Sequence, residues 1–186
     1  MGEKELKWEE ESRKKVFSCR VFSVHDSYCR SPQGALKTYT VMEAPGWAII
    51  VPVLEPQAGG EKKFVMVRQW RHGSQAVSLE FPGGVFEPGE DPQSAAAREL
   101  LEETGYKPGK MRKIGEFNPN PAIMSNTLHV FLASDLVNTG SQHLDPDEFV
   151  DVELVSEETV LQGMGKPPFN HALMGGALAL YLLCKR

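Results

Sequence analysis

The chain has 186 residues, 41% of them apolar and 24% charged, with a formal net charge of −5. These proportions are those of an ordinary globular protein of one domain with room for a small appendage, and the negative balance excludes a broad basic surface for gripping nucleic acid. Three cysteines without CxxC spacing argue against a disulfide framework or a zinc site and fit reduced thiols in a cytoplasmic protein.

The opening stretch, MGEKELKWEEESRKK, is charged, lacks the pattern of a secretory signal, and reads as an arm that frays or docks through Trp8. From Val16 the texture is strand-like, through VFSCRVFSVHDSYC, a turn at Ser31-Pro32-Gln33-Gly34, and LKTYTVMEA. This hairpin piece, residues 1–45, is too small to be stable alone, so it is expected to pack on the rest of the chain or on a second subunit. His25 reads as a surface histidine within it. GWAIIVPVLE is an apolar run of the kind buried on both faces of a sheet, and KFVMVRQWR returns after a turn at Gln57-Ala58-Gly59-Gly60-Glu61. SLEFPGG then leads into a glycine- and proline-rich loop.

Asp91-Pro92 have the form of a helix N-cap followed by proline in the first turn, and Gly105 is placed to end that helix. At roughly 100° per residue, Ala97, Leu100 and Leu101 share a face expected to pack inward. Glu99, Glu102 and Glu103 fall on the other side, at spacing i, i+3, i+4, where like charges repel and the helix C-terminus disfavours anions. Arg98 is placed to reach Glu102 and offset part of this. A helix that carries such a cluster against local preference suggests a use for it, and hard oxygen donors suit magnesium or manganese. Further strands are expected in MRKIGEF, TLHVFLASDL and FVDVELVS. Helices are expected over Ser156–Gly165 and His171–Cys184; the second is apolar but too short to span a membrane.

Gly84, five residues, Glu90, seven residues, Arg98-Glu99-Leu100, one residue, Glu102-Glu103, one residue, then Gly105 and a bulky apolar residue make a pattern that resembles the Nudix box. At average residue usage it arises by chance on the order of once in a billion start positions. Tyr106 stands where the family usually has an aliphatic residue, a packing position. The resemblance covers roughly residues 40 to 184 and implies an α+β Nudix fold, a mixed β-sheet between helices. Residues 1–45 would then be a β-hairpin extension and 46–186 the Nudix domain.

The hairpin ahead of the core, RQWR at Arg68–Arg71, and LEFPGG entering the box look most like the ADP-ribose pyrophosphatase branch. That resemblance implies Mg2+-dependent (or Mn2+-dependent) hydrolysis of a nucleoside diphosphate linked to a sugar, ADP-ribose first. It also implies a homodimer in which the extension helps complete the site, with no membrane or stable nucleic-acid partner. Glu99 and Glu103 are assigned as primary metal ligands, Glu102 as a shared one, the carbonyl of Gly83 as a further ligand, and Arg98 as the group that orients a glutamate. Glu90 supports the loop.

Outside the box, Arg68 and Arg71 are candidates for the diphosphate. Trp47 is a candidate for stacking on the base or for core packing, and Glu80 for a ribose or bound water. Pro121 lies near a proline that accompanies ADP-ribose preference in the family. His72 and His143 read as solvated, His129 as a packed or edge residue. Glu148, in HLDPDEF, is assigned as general base ahead of Asp145 and Asp147, with Glu99 or Glu102 as the other possibility. Two other readings stay open: a pyrophosphatase for GDP-mannose, an NAD-type dinucleotide or a nucleoside triphosphate, and a catalytically silent ligand-sensing module. The intact set Glu99, Glu102 and Glu103 speaks against the second.

Overall fold

A computed structural model describes residues 2–56 and 59–185, so two of the five turn residues expected after the apolar run, Gln57 and Ala58, lie outside the described residues. The chain forms two compact units. One comprises the chain up to Pro45 together with Asn118–Thr127, and the other comprises Gly46–Phe117 and the chain from Leu128 onward.

The first unit is built on a three-stranded antiparallel sheet of β1 (Glu9–Ser18), β2 (Ser23–Arg30) and β3 (Leu36–Glu43) in that order. The expected arm is thus a strand from Glu9 onward. Its charges are used along the strand and across the sheet: Arg13 donates to Glu10 of the same strand at 2.9 Å and to Glu43 at 2.5 Å, Arg30 donates to Glu11 at 2.5 Å, and Ser27 bonds Glu10. Trp8 meets Tyr39 edge-on, with ring centres 5.3 Å apart. His25 is not the surface residue expected. It is 7% exposed, with Nε2 2.8 Å from Ser23 Oγ and 3.1 Å from Glu43 Oε2, because it lies on the face of the central strand that the polar side chains of both neighbours cover. The segment 118–127 joins this unit through Met42, whose amide donates to the Ile123 carbonyl at 2.7 Å.

The second unit holds a six-stranded sheet. Its path is β6 (Ala76–Glu80), β5 (Lys63–Arg71), β4 (Trp47–Leu54), β8 (Leu128–Asn138) and β7 (Tyr106–Phe117), with β9 (Val150–Ser156) added beside β5. Only β4 and β8 run parallel; the other ladders in this sheet are antiparallel. The apolar run of β4 is buried from Ala48 to Val53, as its composition requires of a strand covered on both faces.

Side-chain alternation divides this core in two. Ile49, Val51, Val53, Phe64, Met66 and Leu128 pack against Val160 of α2 (Glu157–Gly163) and against Met174, Ala177, Leu178 and Tyr181 of α3 (Ala172–Leu183). On the opposite face Ala48, Ile50, Phe131 and Ala133 pack against Ala96 and Leu100 of α1 (Pro92–Thr104). The sheet thus lies between helices. Leu100 is fully buried, and truncating such a residue to alanine costs about 2–5 kcal/mol.

Helix α1 begins and ends where its caps dictate. The Asp91 carboxylate accepts from the amides of Gln93 and Ser94 at 3.1 and 3.0 Å, and Gly105, at φ 70°, returns its amide to the Leu101 carbonyl at 2.8 Å. The inward face, however, is turned from the one expected. Ala95, Ala96, Leu100, Glu103 and Thr104 are buried, whereas Ala97 and Leu101 are only partly so. Packing of Ala96 and Leu100 against the sheet goes with this rotation, and it carries Glu103 to a buried position.

Candidate active site

Two glycines prepare the ground. Segment 82–86 runs antiparallel beside β4 where β5 leaves it: Ile50 donates to the Pro82 carbonyl and Ala48 to the Gly84 carbonyl, both at 2.9 Å, and Phe86 to that of Gly46 at 3.0 Å. A Cβ on Gly83 would collide with the Ala48 carbonyl, and one on Gly84 with the Glu99 carboxylate. The loop therefore lies flat between strand and helix only because these two side chains are missing.

Against this loop stand the acids of α1. Glu103 is 5% exposed and accepts from the Gly83 amide at 2.8 Å. Burial pushes its pKa up to about 8, against the pull of that amide, and the charges of Glu99 and Glu148 add to the rise. Burial also holds Glu99 above the ordinary carboxylate range, opposed by Arg98. Arg98 binds three acids at once: Glu90 through Nε and Nη2, both at 2.9 Å, and through Nη1 Glu99 at 2.9 Å and Glu102 at 3.0 Å. That network accounts for the spacing of Glu90 from the helix and ties Glu99 and Glu102 to one guanidinium. The Arg98 bonds hold the Glu90 carboxyl below its usual range.

The loop after β8 is tied to the end of α1. Gln142 donates to the Glu103 carbonyl at 2.6 Å, His143 to that of Glu102 at 2.9 Å, and Thr139 to that of Gly105 at 2.8 Å. These carbonyls have no partner inside the helix, and the loop satisfies them. The chain then turns at Asp145–Glu148, with Pro146 in the second position and the Glu148 amide on the Asp145 carbonyl at 2.9 Å. Glu148 follows, close enough to Glu99 and Glu103 for its charge to raise both. The next residue, Phe149, is 84% exposed. Among the described residues no three His, Cys, Asp or Glu side chains close round a common point. The donors nonetheless suit a hard divalent cation: they are carboxylate oxygens, and Glu103 is a buried acid whose ionised form lacks a neutralising partner of its own.

Strand β5 parts the two arginines that the sequence offered together. Three residues apart, they point to opposite faces of the sheet. Arg68, in register with the core residue Leu79, pairs with Glu153. Arg71 lies on the face of α1, where Glu103 feels its charge. Its Nε and Nη2 donate to Glu80 at 3.0 and 2.7 Å. Glu80 is 2% exposed; burial alone would raise its pKa, but contacts from His171 and Arg71 outweigh that and hold the carboxyl well below its usual range. Trp47 is half-buried against the core beneath α3, and Trp70, beside Arg71, is 50% exposed.

Pro121 lies in the first unit, His72 and His143 are exposed, and His129 packs on Phe86. His171 had no sequence signal beyond its place ahead of a helix. No helix among the described residues is long and apolar enough to cross a membrane.

An acid-bearing helix laid against a glycine loop, on a mixed sheet between helices, defines a Nudix-type site. The NUDIX domain model matches residues 45–173, and the chain belongs to this family of hydrolases. It is 34% identical over 152 residues to an ADP-ribose pyrophosphatase of Bacillus subtilis (strain 168), covering 81% of this chain and 80% of that one. It is 33% identical over 147 residues to a methanol dehydrogenase activator of Bacillus methanolicus, with 78% and 77% covered. Among solved structures, an ADP compounds hydrolase superposes with a TM-score of 0.81 at 23% identity over 96% of this chain and 94% of that one, a likeness of fold.

Proposed function

We propose that the protein hydrolyses the diphosphate bond of a nucleoside diphosphate linked to a sugar, ADP-ribose first, giving AMP and ribose 5-phosphate. The observation that carries this is the gathering, within electrostatic range, of the buried acid Glu103 and the partly buried Glu99 with the loop acid Glu148 and the half-exposed cation Arg71. The similarity to an ADP-ribose pyrophosphatase supports the choice of substrate.

In this reading Glu99 and Glu103 hold Mg2+, or Mn2+, with Glu102 sharing it and the Gly83 carbonyl adding a further oxygen. Bound there, the ion supplies positive charge that offsets the diphosphate's negative oxygens and favours ionisation of water. Arg71 grips the diphosphate through the edge of its guanidinium that Glu80 leaves open. Arg98 fixes the rotamers of Glu99 and Glu102. Glu148 takes the proton from the attacking water; that oxygen bonds to phosphorus, the bridging P–O bond breaks, and the bridging oxygen leaves with the other product. In this reading Trp47, packed on the core beneath α3, and Arg68, paired with Glu153 on the face away from α1, take no part in the site.

The test is a panel of ADP-ribose, other nucleotide sugars, GDP-mannose, dinucleotides and nucleoside triphosphates with Mg2+ or Mn2+, reading phosphate after phosphatase coupling. Fastest turnover of ADP-ribose is the expected result. Preference for a triphosphate or a dinucleotide would move the assignment to another Nudix pyrophosphatase. Binding of nucleotides without turnover of any would indicate a sensing module.

The protein acts as a cytoplasmic homodimer in this reading. Among the described residues of the first unit, Cys29 is the sole apolar side chain that is buried, while Val16, Phe17, Leu36 and Tyr39 are exposed. A sheet so poorly covered gains stability from a partner. Sedimentation of the intact chain is expected to give twice the 20.6 kDa monomer mass. A monomer at micromolar concentration that still hydrolyses nucleotide sugars would refute it.

A further inference from the structure

His171 occupies the N-cap of α3, where a serine, threonine, aspartate or asparagine side chain ordinarily bonds the first free amides of a helix. It makes no such bond. Its Nδ1 is instead shut off from solvent, with no aligned hydrogen bond, and lies 3.0 Å from Glu80 Oε2. The same oxygen accepts from Arg71 Nη2 at 2.7 Å, and its twin accepts from Arg71 Nε at 3.0 Å. Glu80 is thus gripped from two sides, by an arginine of β5 and by a histidine from the far end of the chain. The connection leading to α3 is fastened beside it, since Leu79 donates to the Pro168 carbonyl at 3.0 Å.

We infer that His171 is a positioning residue for substrate binding: it steadies Glu80, and Glu80 fixes the guanidinium plane of Arg71 so that its open edge faces the diphosphate. The chain of contacts is short and each link has a physical reason. Arginine on a long side chain has many rotamers, and a bidentate carboxylate removes most of them. The carboxylate must itself be held. At 2% exposure Glu80 has almost no water to complete its shell, so its second oxygen depends on His171 as well as on Arg71. Because Arg71 keeps 43% of its side chain open to solvent, its outer N–H groups are free to meet a ligand. A helix that forgoes its cap to place a histidine here has put that side chain to another use. This assignment rests on the diphosphate-hydrolase reading of the site.

The experiment compares the full chain with His171→Ala, His171→Asn, Arg71→Ala and the double variant Arg71→Ala/His171→Ala, on ADP-ribose with Mg2+. Asparagine sets a donor nitrogen near the place of Nδ1 and is the conservative replacement. Expected is a rise in KM of about fivefold for His171→Ala, a modest effect because the histidine touches Glu80 and not the substrate, with kcat within about twofold. Asparagine is expected to restore KM. In the Arg71→Ala background the histidine change is expected to add nothing, since it acts through Arg71.

The same proteins give a readout independent of turnover. The Arg71 Nε–H correlation in a 15N NMR spectrum, assigned by its loss in Arg71→Ala, is expected to broaden or shift in His171→Ala and to return in His171→Asn. If the wild-type protein does not hydrolyse ADP-ribose, the functional reading fails, and the spectrum alone decides the positioning of Arg71. Independent KM effects that multiply in the double variant, or an Arg71 signal indifferent to His171, would overturn the inference.

Discussion

Replacing Glu103 with glutamine is expected to leave a folded protein whose turnover is down at least ~100-fold at saturating Mg2+. The amide keeps the shape of the side chain and an oxygen to accept from the Gly83 amide, now at 2.8 Å, but removes the charge that holds the cation. The two proteins should also part in their stability without metal. Burial raises the Glu103 pKa from the ordinary glutamate value of 4.5 to about 8, so the folded state binds this proton more tightly than the unfolded chain. The stability this gives is complete below about pH 4.5 and is lost as pH rises through about 8. In metal-free solution the glutamine variant is therefore expected to melt above the wild type at pH 9, with the gap closing toward pH 5. Kinetics and thermal melts of both proteins decide it. Near-normal turnover at saturating Mg2+ would remove Glu103 from the metal site.

Glu148→Gln separates proton transfer from metal binding. The carboxylate sits on a loop, next to a turn closed by its own amide and within electrostatic range of Glu99 and Glu103. A base on a loop acts when substrate closes the site, so its unliganded position need not be its working one. Loss of a general base costs ~10²–10⁴-fold in rate, so kcat is expected to fall by that amount with the Mg2+ activation constant unchanged. Measuring kcat across a range of Mg2+ concentrations distinguishes the outcomes. Weakened Mg2+ binding, with kcat spared at high Mg2+, would make Glu148 a ligand. If neither changes, Glu99 and Glu102 become the candidates for the base.

How far these features were legible depends on the range of the interaction behind them. Helix α1 was readable because its signals are local: a cap at Asp91, proline at its start, glycine at its end. The buried strand β4 was readable because a run of eight apolar residues has few other uses. The inward turn of Glu103 was not, since the pattern Ala97, Leu100, Leu101 gave a plausible face and only packing of Ala96 and Leu100 on the sheet selects the other. The strand β1 was missed because its burial pattern is exposed throughout; its pairing lies in cross-strand charges whose partners are tens of residues away. The separation of Arg68 from Arg71 follows from strand alternation alone and could have been drawn from RQWR. His171 could not, because its meeting with Glu80 joins positions ninety-one apart in number and depends on how the last helix is laid.

The three tryptophans are distributed in a way that makes the protein its own optical instrument. Trp8 stands against Tyr39 in the first unit, Trp47 is half-buried on the core of the second, and Trp70 lies half in solvent one residue from Arg71. Each indole therefore reports on a different environment: the polarity around the N-terminal sheet, the integrity of the main core, and the solvent-exposed end of β5 on the face away from Arg71. Chains retaining one tryptophan at a time, with phenylalanine at the other two positions, would resolve in ordinary emission spectra whether the two units melt as one body or in turn. They would also separate a signal of nucleotide arrival from a signal of unfolding, without attaching any foreign dye.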